Sequence, residues 1–202
     1  MARMLKVGSL QFAVTTTRSD IAFACDKLGS DLTVRSDNHW REVDRCLHYL
    51  ADTRDTTLEF SGGPEMMCLV GYVDADDASD KQNQMSTGGN VFVFEGAAVS
   101  WSSQRIKCAT LSSTESEYVA ATKASKEGRQ LRFLLAEFQQ LDAGTPMMVK
   151  RGKFVLRYIR TTEQPAAFMT KVLHFPAFNR CSVAIGQLRL ADVGDGDDDV
   201  QQ

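Results

Sequence analysis

Two carboxylates of this 202-residue sequence stand out as a pair that suits a divalent metal. Asp74 closes an apolar run that reads as a buried strand, and Glu117 lies in the first turns of the longest helical pattern. Hard Mg²⁺ prefers oxygen ligands in octahedral geometry, and two-ion phosphodiester hydrolysis needs several carboxylates to hold the ions roughly 3.5–4 Å apart. Two carboxylates are too few for that cage. Each also has a plainer reading, with Asp74, Asp76 and Asp77 as a solvated strand end, and Glu115 or Glu117 serving the cap and dipole of the helix they open.

The elements that must position these residues follow from periodicity. Residues 7–60 carry helix-spaced apolar positions, among them Ile21, Phe23, Val43, Leu47 and Leu50, with Asp37 or Asn38 as cap of a second helix and a short strand at Leu58-Glu59-Phe60. Ser61-Gly62-Gly63-Pro64 reads as a hinge. Beyond it, Met67 to Val73 predicts a buried strand running into Asp74, Asp76, Asp77 and Asp80, and Glu95-Gly96 links two further strands as a hairpin, Asn90 to Phe94 and Ala97 to Trp101. The long helix runs from Ser112 to Gln140, opening on the capping pattern Ser112-x-x-Glu115, with Tyr118 and Trp101 as core aromatics and Gly128 as a weak point. Met147 to Val149 and Phe154 to Ile159 read as strands, Glu163 to Lys171 as a final short helix, and 191–202 as a disordered acidic tail.

Composition restricts the classes available. With 43% hydrophobic and 24% charged residues the chain has globular statistics, and a net charge of −3 leaves any nucleic-acid contact to a local patch. Arg105, Lys107, Lys123 and Lys126, with Arg129 and Arg132, are the candidates for that patch, and a solvated face paired with Glu127 and Glu137 is the alternative. The five cysteines form no C-x-x-C pair, which favours buried free thiols over a zinc or redox motif. No apolar stretch reaches the ~18 residues of a membrane span, so the expectation is an intracellular protein, cytoplasmic or nuclear, with no membrane partner.

Four ordered words then narrow the field: Gly71-Tyr72-Val73-Asp74-Ala75-Asp76, Ser86-Thr87-Gly88-Gly89-Asn90-Val91-Phe92, Ala98-Val99-Ser100-Trp101-Ser102-Ser103, and Leu111-Ser112-Ser113-Thr114-Glu115-Ser116-Glu117-Tyr118. Together they closely resemble the ribonuclease H domain of copia-type retrotransposon Pol polyproteins. Upstream, Thr17-Arg18-Ser19-Asp20-Ile21 and Arg45-Cys46-Leu47-His48-Tyr49-Leu50 resemble the segment that joins this family's reverse transcriptase to that domain. Downstream, Thr161-Thr162-Glu163-Gln164-Pro165-Ala166 and Met169-Thr170-Lys171 also match.

The resemblance implies an α/β, RNase H-like mixed sheet with flanking helices, incomplete here and preceded by a small helical connection segment. The implied division is 1–63 for that segment, 64–190 for the RNase H-like domain and 191–202 for the tail. It further implies four acidic residues around two Mg²⁺ ions, an RNA–DNA hybrid as partner, and membership of a larger Pol polyprotein. Asp74 takes the place of the first-strand aspartate and Glu117 that of the helix glutamate, making these the catalytic and metal residues, with Glu115 left as the capping residue.

Departures cluster on the other half of the site. The family's strand ending in Asp-Asn, with the helices after it, has no counterpart, because Met147-Met148-Val149-Lys150 runs directly into Arg151-Gly152-Lys153, which points to an internal deletion near 150/151. Ala167 stands in place of the fourth acid, and Asp142 lies in a Gly/Pro turn rather than at a strand end. Asp77 replaces a tryptophan, Asn90 an aromatic and Ser19 a proline. Asp77 would cost on the order of 1–3 kcal/mol if buried and unpaired. The expectation is a catalytically inactive Pol fragment. The alternatives are an active Mg²⁺-dependent ribonuclease H that uses Asp74, Asp76 and Glu117, and a host-recruited nucleic-acid or protein binding module without catalysis.

Overall fold

The computed structural model describes residues 2–30, 36–62, 68–77, 85–107, 110, 112–138 and 157–189. Its element order is α1 (Ala2–Thr16), α2 (Ala22–Ser30), α3 (Asp37–Asp52), β1 (Thr56–Leu58), β2 (Val70–Asp76), β3 (Thr87–Phe94), β4 (Ala97–Arg105), α4 (Ser113–Glu137), α5 (Phe175–Ala184) and β5 (Gln187–Arg189). Short 3-10 segments fill Ser19–Ile21, Thr161–Glu163 and Pro165–Met169. The predicted junction at 150/151, the run 147–149, Cys108 and the tail at 191–202 lie outside the described residues.

Strands β2, β3 and β4 form one antiparallel sheet in that order, and β1 pairs antiparallel with β5 in a second. The resemblance implies a mixed sheet; every described pair is antiparallel, and 139–156 lies outside the described residues. The neighbours β2, β3 and β4 follow one another through short connections, which suit antiparallel but not parallel pairing. Between β3 and β4, Glu95 (φ 51°) and Gly96 (φ 85°) both take the left-handed conformation that a two-residue hairpin turn requires.

Side chains alternate across the sheet, so register assigns each residue a face. Asp74 pairs with Gly89 and Ala75 with Gly88. A Cβ on Gly88 would meet Ala120 of α4 at 3.3 Å, while one on Gly89 would lie 2.5 Å from Met169 Cβ. Hence α4 covers one face, and Pro165–Met169 closes on the other at the step where Asp74 sits. Only a residue without a side chain permits that approach at Gly89.

Helix α4 buries a row of small residues, Ser116, Ala120, Ala124 and Gly128, at intervals of four. This row lets the helix lie close on the sheet, and it places Gly128 in the contact. Tyr118, predicted in the core, is 71% exposed because it falls off that row. Trp101 packs against the opposite core and donates its indole N–H to the Val14 carbonyl (2.9 Å).

The larger core is shared along the chain: Leu10, Ile21, Ala22, Trp40 and Val43 from the N-terminal helices pack with Val91, Ala98, Phe168, Met169 and Ile185. The cap of α3 is Ser36, whose hydroxyl accepts from the His39 N–H, rather than Asp37 or Asn38. Its extended backbone places it outside the helix, while Asp37 already lies in the first turn. In place of the single helix predicted at 163–171, two 3-10 segments interrupted at Gln164 bring Thr170 over the sheet. Arg157–Ile159 belongs to no strand, in contrast to the predicted Phe154–Ile159 run.

Candidate functional site

The Asp74 carboxylate already has partners. Oδ2 accepts a 2.5 Å hydrogen bond from the Thr170 hydroxyl and lies 3.4 Å from the Lys171 ammonium. Thr170 is fully buried, and the Asp74 side chain is 17% exposed. The same hydroxyl lies 3.1 Å from the Ala167 carbonyl, so Ala167 stands one hydroxyl away from Asp74. One residue back on β2, the Val73 carbonyl accepts from Gln164 Nε2 (2.9 Å). The words Gln164-Pro165-Ala166 and Met169-Thr170-Lys171 thus form a strip stitched to β2. In the sequence Thr170 and Lys171 stand out only as part of the word Met169-Thr170-Lys171; a hydroxyl and a cation close after the position expected to hold an acid are the signal that marks them.

Asp76 follows on the same face. Burial holds its carboxyl above the ordinary range; the Lys171 charge acts downward on it and the Asp74 charge upward. Asp77 turns to the other side and is exposed, with Oδ1 accepting from Ser86 (2.8 Å), Ser116 (3.1 Å) and Thr110 (3.4 Å). The burial cost anticipated for it does not arise, because these hydroxyls satisfy its carboxylate and tie the end of β2 to α4.

Glu117 follows Ser116 in the first turns of α4, with its side chain exposed. The Ser112 hydroxyl caps this helix by accepting from the Glu115 N–H (3.2 Å), leaving Glu117 outside the cap. Asp74 and Glu117 therefore stand on elements that pack together, but no hydrogen bond or ion pair joins them. Ala167, 3% exposed, offers a methyl group where the resemblance expects an acid. Among the described residues no three His, Cys, Asp or Glu side chains gather as a metal group. This donor set does not fit an octahedral Mg²⁺, whose carboxylate ligand would also carry an ammonium on the same oxygen.

Three of the six basic candidates come together. Arg105, Lys107 and Lys123 line one groove of about 450 Å³ with Gly88, Gly89, Asn90, Ile106 and Ala120. Lys123 donates to Gln104 and Ser102 on β4, and burial lowers its pKa while Asp26 and Glu127 act the other way. Lys126 is exposed on α4 and does not line that groove. Glu127 accepts from the Ser100 hydroxyl (3.0 Å).

Comparison with known proteins bears on this arrangement. The chain is 34% identical over 212 residues to the retrovirus-related Pol polyprotein from transposon TNT 1-94 of Nicotiana tabacum, a match covering 89% of this chain and 16% of that protein. It is 36% identical over 131 residues to the Pol polyprotein from transposon RE2 of Arabidopsis thaliana, covering 65% of this chain and 9% of the relative. The chain belongs to the copia-type retrotransposon Pol family. It spans less than a fifth of the length of these Pol relatives. Since 89% of 202 residues is about 180, about 32 positions of the 212-residue TNT 1-94 match have no counterpart in this Pol segment.

A third relative is the secreted RxLR effector protein 161 of Plasmopara viticola, 38% identical over 121 residues, which cover 60% of this chain and 84% of that protein. No family model matches the chain, and no solved structure matches it. Among the described residues no helix of this Pol segment is long and apolar enough to cross a membrane.

Proposed function

We propose that this chain is the RNase H-like end of a copia-type Pol polyprotein, preceded by the segment that links it to the reverse transcriptase, and that it does not hydrolyse RNA. In this reading 1–63 is the connection and 64–190 the RNase H-like domain, shortened near 150/151. The observation that carries the loss of hydrolysis is Ala167, which is buried, has its backbone carbonyl on the same Thr170 hydroxyl as Asp74, and stands at the position where the resemblance calls for an acid. Phosphodiester hydrolysis by Mg²⁺ depends on several carboxylates fixing the ions, and a methyl group supplies none of that. The positions missing relative to the TNT 1-94 match support the loss of a further stretch of the fold.

Binding of an RNA–DNA hybrid is the activity that remains open to such a fragment. Arg105, Lys107 and Lys123 around one groove are suited to phosphates, with affinity that falls as salt rises. The test is a labelled RNA–DNA hybrid assayed for both cleavage and binding, with Mg²⁺ and with Mn²⁺. Salt-dependent binding without cleavage is the expected outcome.

A second reading has its own observation. Most of one relative's length, in a protein named as a secreted effector, is matched by this chain, which supports a role for the stretch as a binding module outside Pol. Hybrid binding that is absent at low salt, in a chain that still melts cooperatively, would favour this second reading.

A further inference from the structure

We infer that Lys171 is the resident counter-ion of Asp74, so that the carboxylate implied as a metal ligand serves here as a metal-independent tether between β2 and the Pro165–Met169 segment. The inference rests on the reading of Asp74 as the first-strand aspartate of an RNase H-like domain.

Two observations carry it. First, the ammonium lies 3.4 Å from Oδ2, the oxygen that also accepts from the buried Thr170, so that one oxygen satisfies both a cation and a hydroxyl. A divalent ion at this carboxylate would share its ligand with a fixed positive charge and be repelled by it. Second, the strip bearing Lys171 is held independently on either side of Asp74. Gln164 bonds the Val73 carbonyl, and Met169 closes on Gly89, the partner of Asp74 in register. The Lys171 side chain, 30% exposed, therefore has an anchored base from which to reach the carboxylate. A partly buried ion pair is screened less by salt than an open surface pair.

The inference is tested on the full chain with Mn²⁺ and Mg²⁺ alone as probes. Wild type is expected to leave the free Mn²⁺ paramagnetic resonance signal undiminished and to melt at the same temperature with and without Mg²⁺. Lys171→Met is expected to melt several degrees lower in metal-free buffer and to gain Mn²⁺ binding, while Lys171→Arg, which keeps the charge, is expected to melt close to wild type and to bind no Mn²⁺. If Lys171→Met fails to fold, Lys171→Arg and Asp74→Asn carry the test, with Asp74→Asn expected to lower the melting midpoint equally in the presence and absence of Mg²⁺. Wild-type binding of Mn²⁺ that Asp74→Asn abolishes would overturn the inference, as would a Lys171→Met protein with an unchanged midpoint. Metal binding without hybrid cleavage would overturn this inference alone, whereas hybrid cleavage by wild type would overturn the proposed function itself.

Discussion

Gln187 donates from Nε2 to Oδ1 of Asp20 at 2.9 Å, joining two residues 167 positions apart in sequence. The Asp20 carboxylate is also gripped at two points by Arg18, with Nε on Oδ1 (3.0 Å) and Nη2 on Oδ2 (2.7 Å), and accepts from the Tyr49 hydroxyl (2.8 Å). Arg18 in turn donates to the carbonyl and hydroxyl of Thr53, and Ser19 to Gln187. This buried network binds the N-terminal helices to β5 at the far end of the chain. Its members come from Thr17-Arg18-Ser19-Asp20-Ile21, the end of α3 and Gln187 of β5, which gives those sequence words a structural purpose.

Removing one member of a buried ion pair leaves the other charge uncompensated, at a cost of about 3–5 kcal/mol. Asp20→Ala is therefore expected to destabilise the chain by that amount in urea denaturation. Gln187→Ala, which removes neutral partners, is expected to cost about 1–3 kcal/mol. Additive effects in the double variant would contradict a shared network.

Alkaline pH probes the same network. Burial and then the charge of Asp20 hold the Tyr49 hydroxyl above its ordinary 10.0. A raised folded value means stabilisation that is complete below pH 10 and lost as the pH climbs past it. Cys25, pushed up to about 12 chiefly by burial, adds to this loss from pH 9.0 upward. Tyr49→Phe is expected to melt lower at neutral pH and to show a shallower decline above pH 10, leaving the thiol contribution in place.

The turn between β3 and β4 holds a residue poorly suited to it. Glu95 sits at φ 51°, where a residue other than glycine pays about 1–2 kcal/mol and asparagine is better tolerated. Glu95→Asn is expected to stabilise the chain by about 0.5–1 kcal/mol, read as a higher denaturation midpoint with an unchanged slope.

Short-range features were the legible part of this sequence. The Ser112 cap, the Glu95-Gly96 hairpin and the start of α4 depend on residues within a few positions of one another, and the structure forms all three. Less visible were features that depend on distant partners. The β1 to β5 pairing, the hydroxyls around Asp77 and the burial of Arg18 each need contacts many residues away, which no local period encodes. Tyr118 misled because an aromatic at a helical apolar position suggests core, while the buried row on α4 is made of small residues. At Asp74 the residue type was readable, but its engagement by Thr170 and Lys171 depends on a strip 96 residues further on.

The basic groove makes its own prediction. Lys107→Ala and Lys123→Ala are each expected to weaken hybrid binding by a similar factor for different sequences and to reduce the salt slope by about one. Lys126→Ala, outside the groove, is expected to change neither. Fluorescence anisotropy over a series of salt concentrations reads both quantities.

The loss of hydrolysis proposed at Asp74 is read from the cleavage rate of a labelled RNA–DNA hybrid by wild type and by Asp74→Asn, with Mg²⁺ and with Mn²⁺. The two proteins are expected to be indistinguishable from each other and from buffer. Cleavage by wild type that Asp74→Asn abolishes would contradict it.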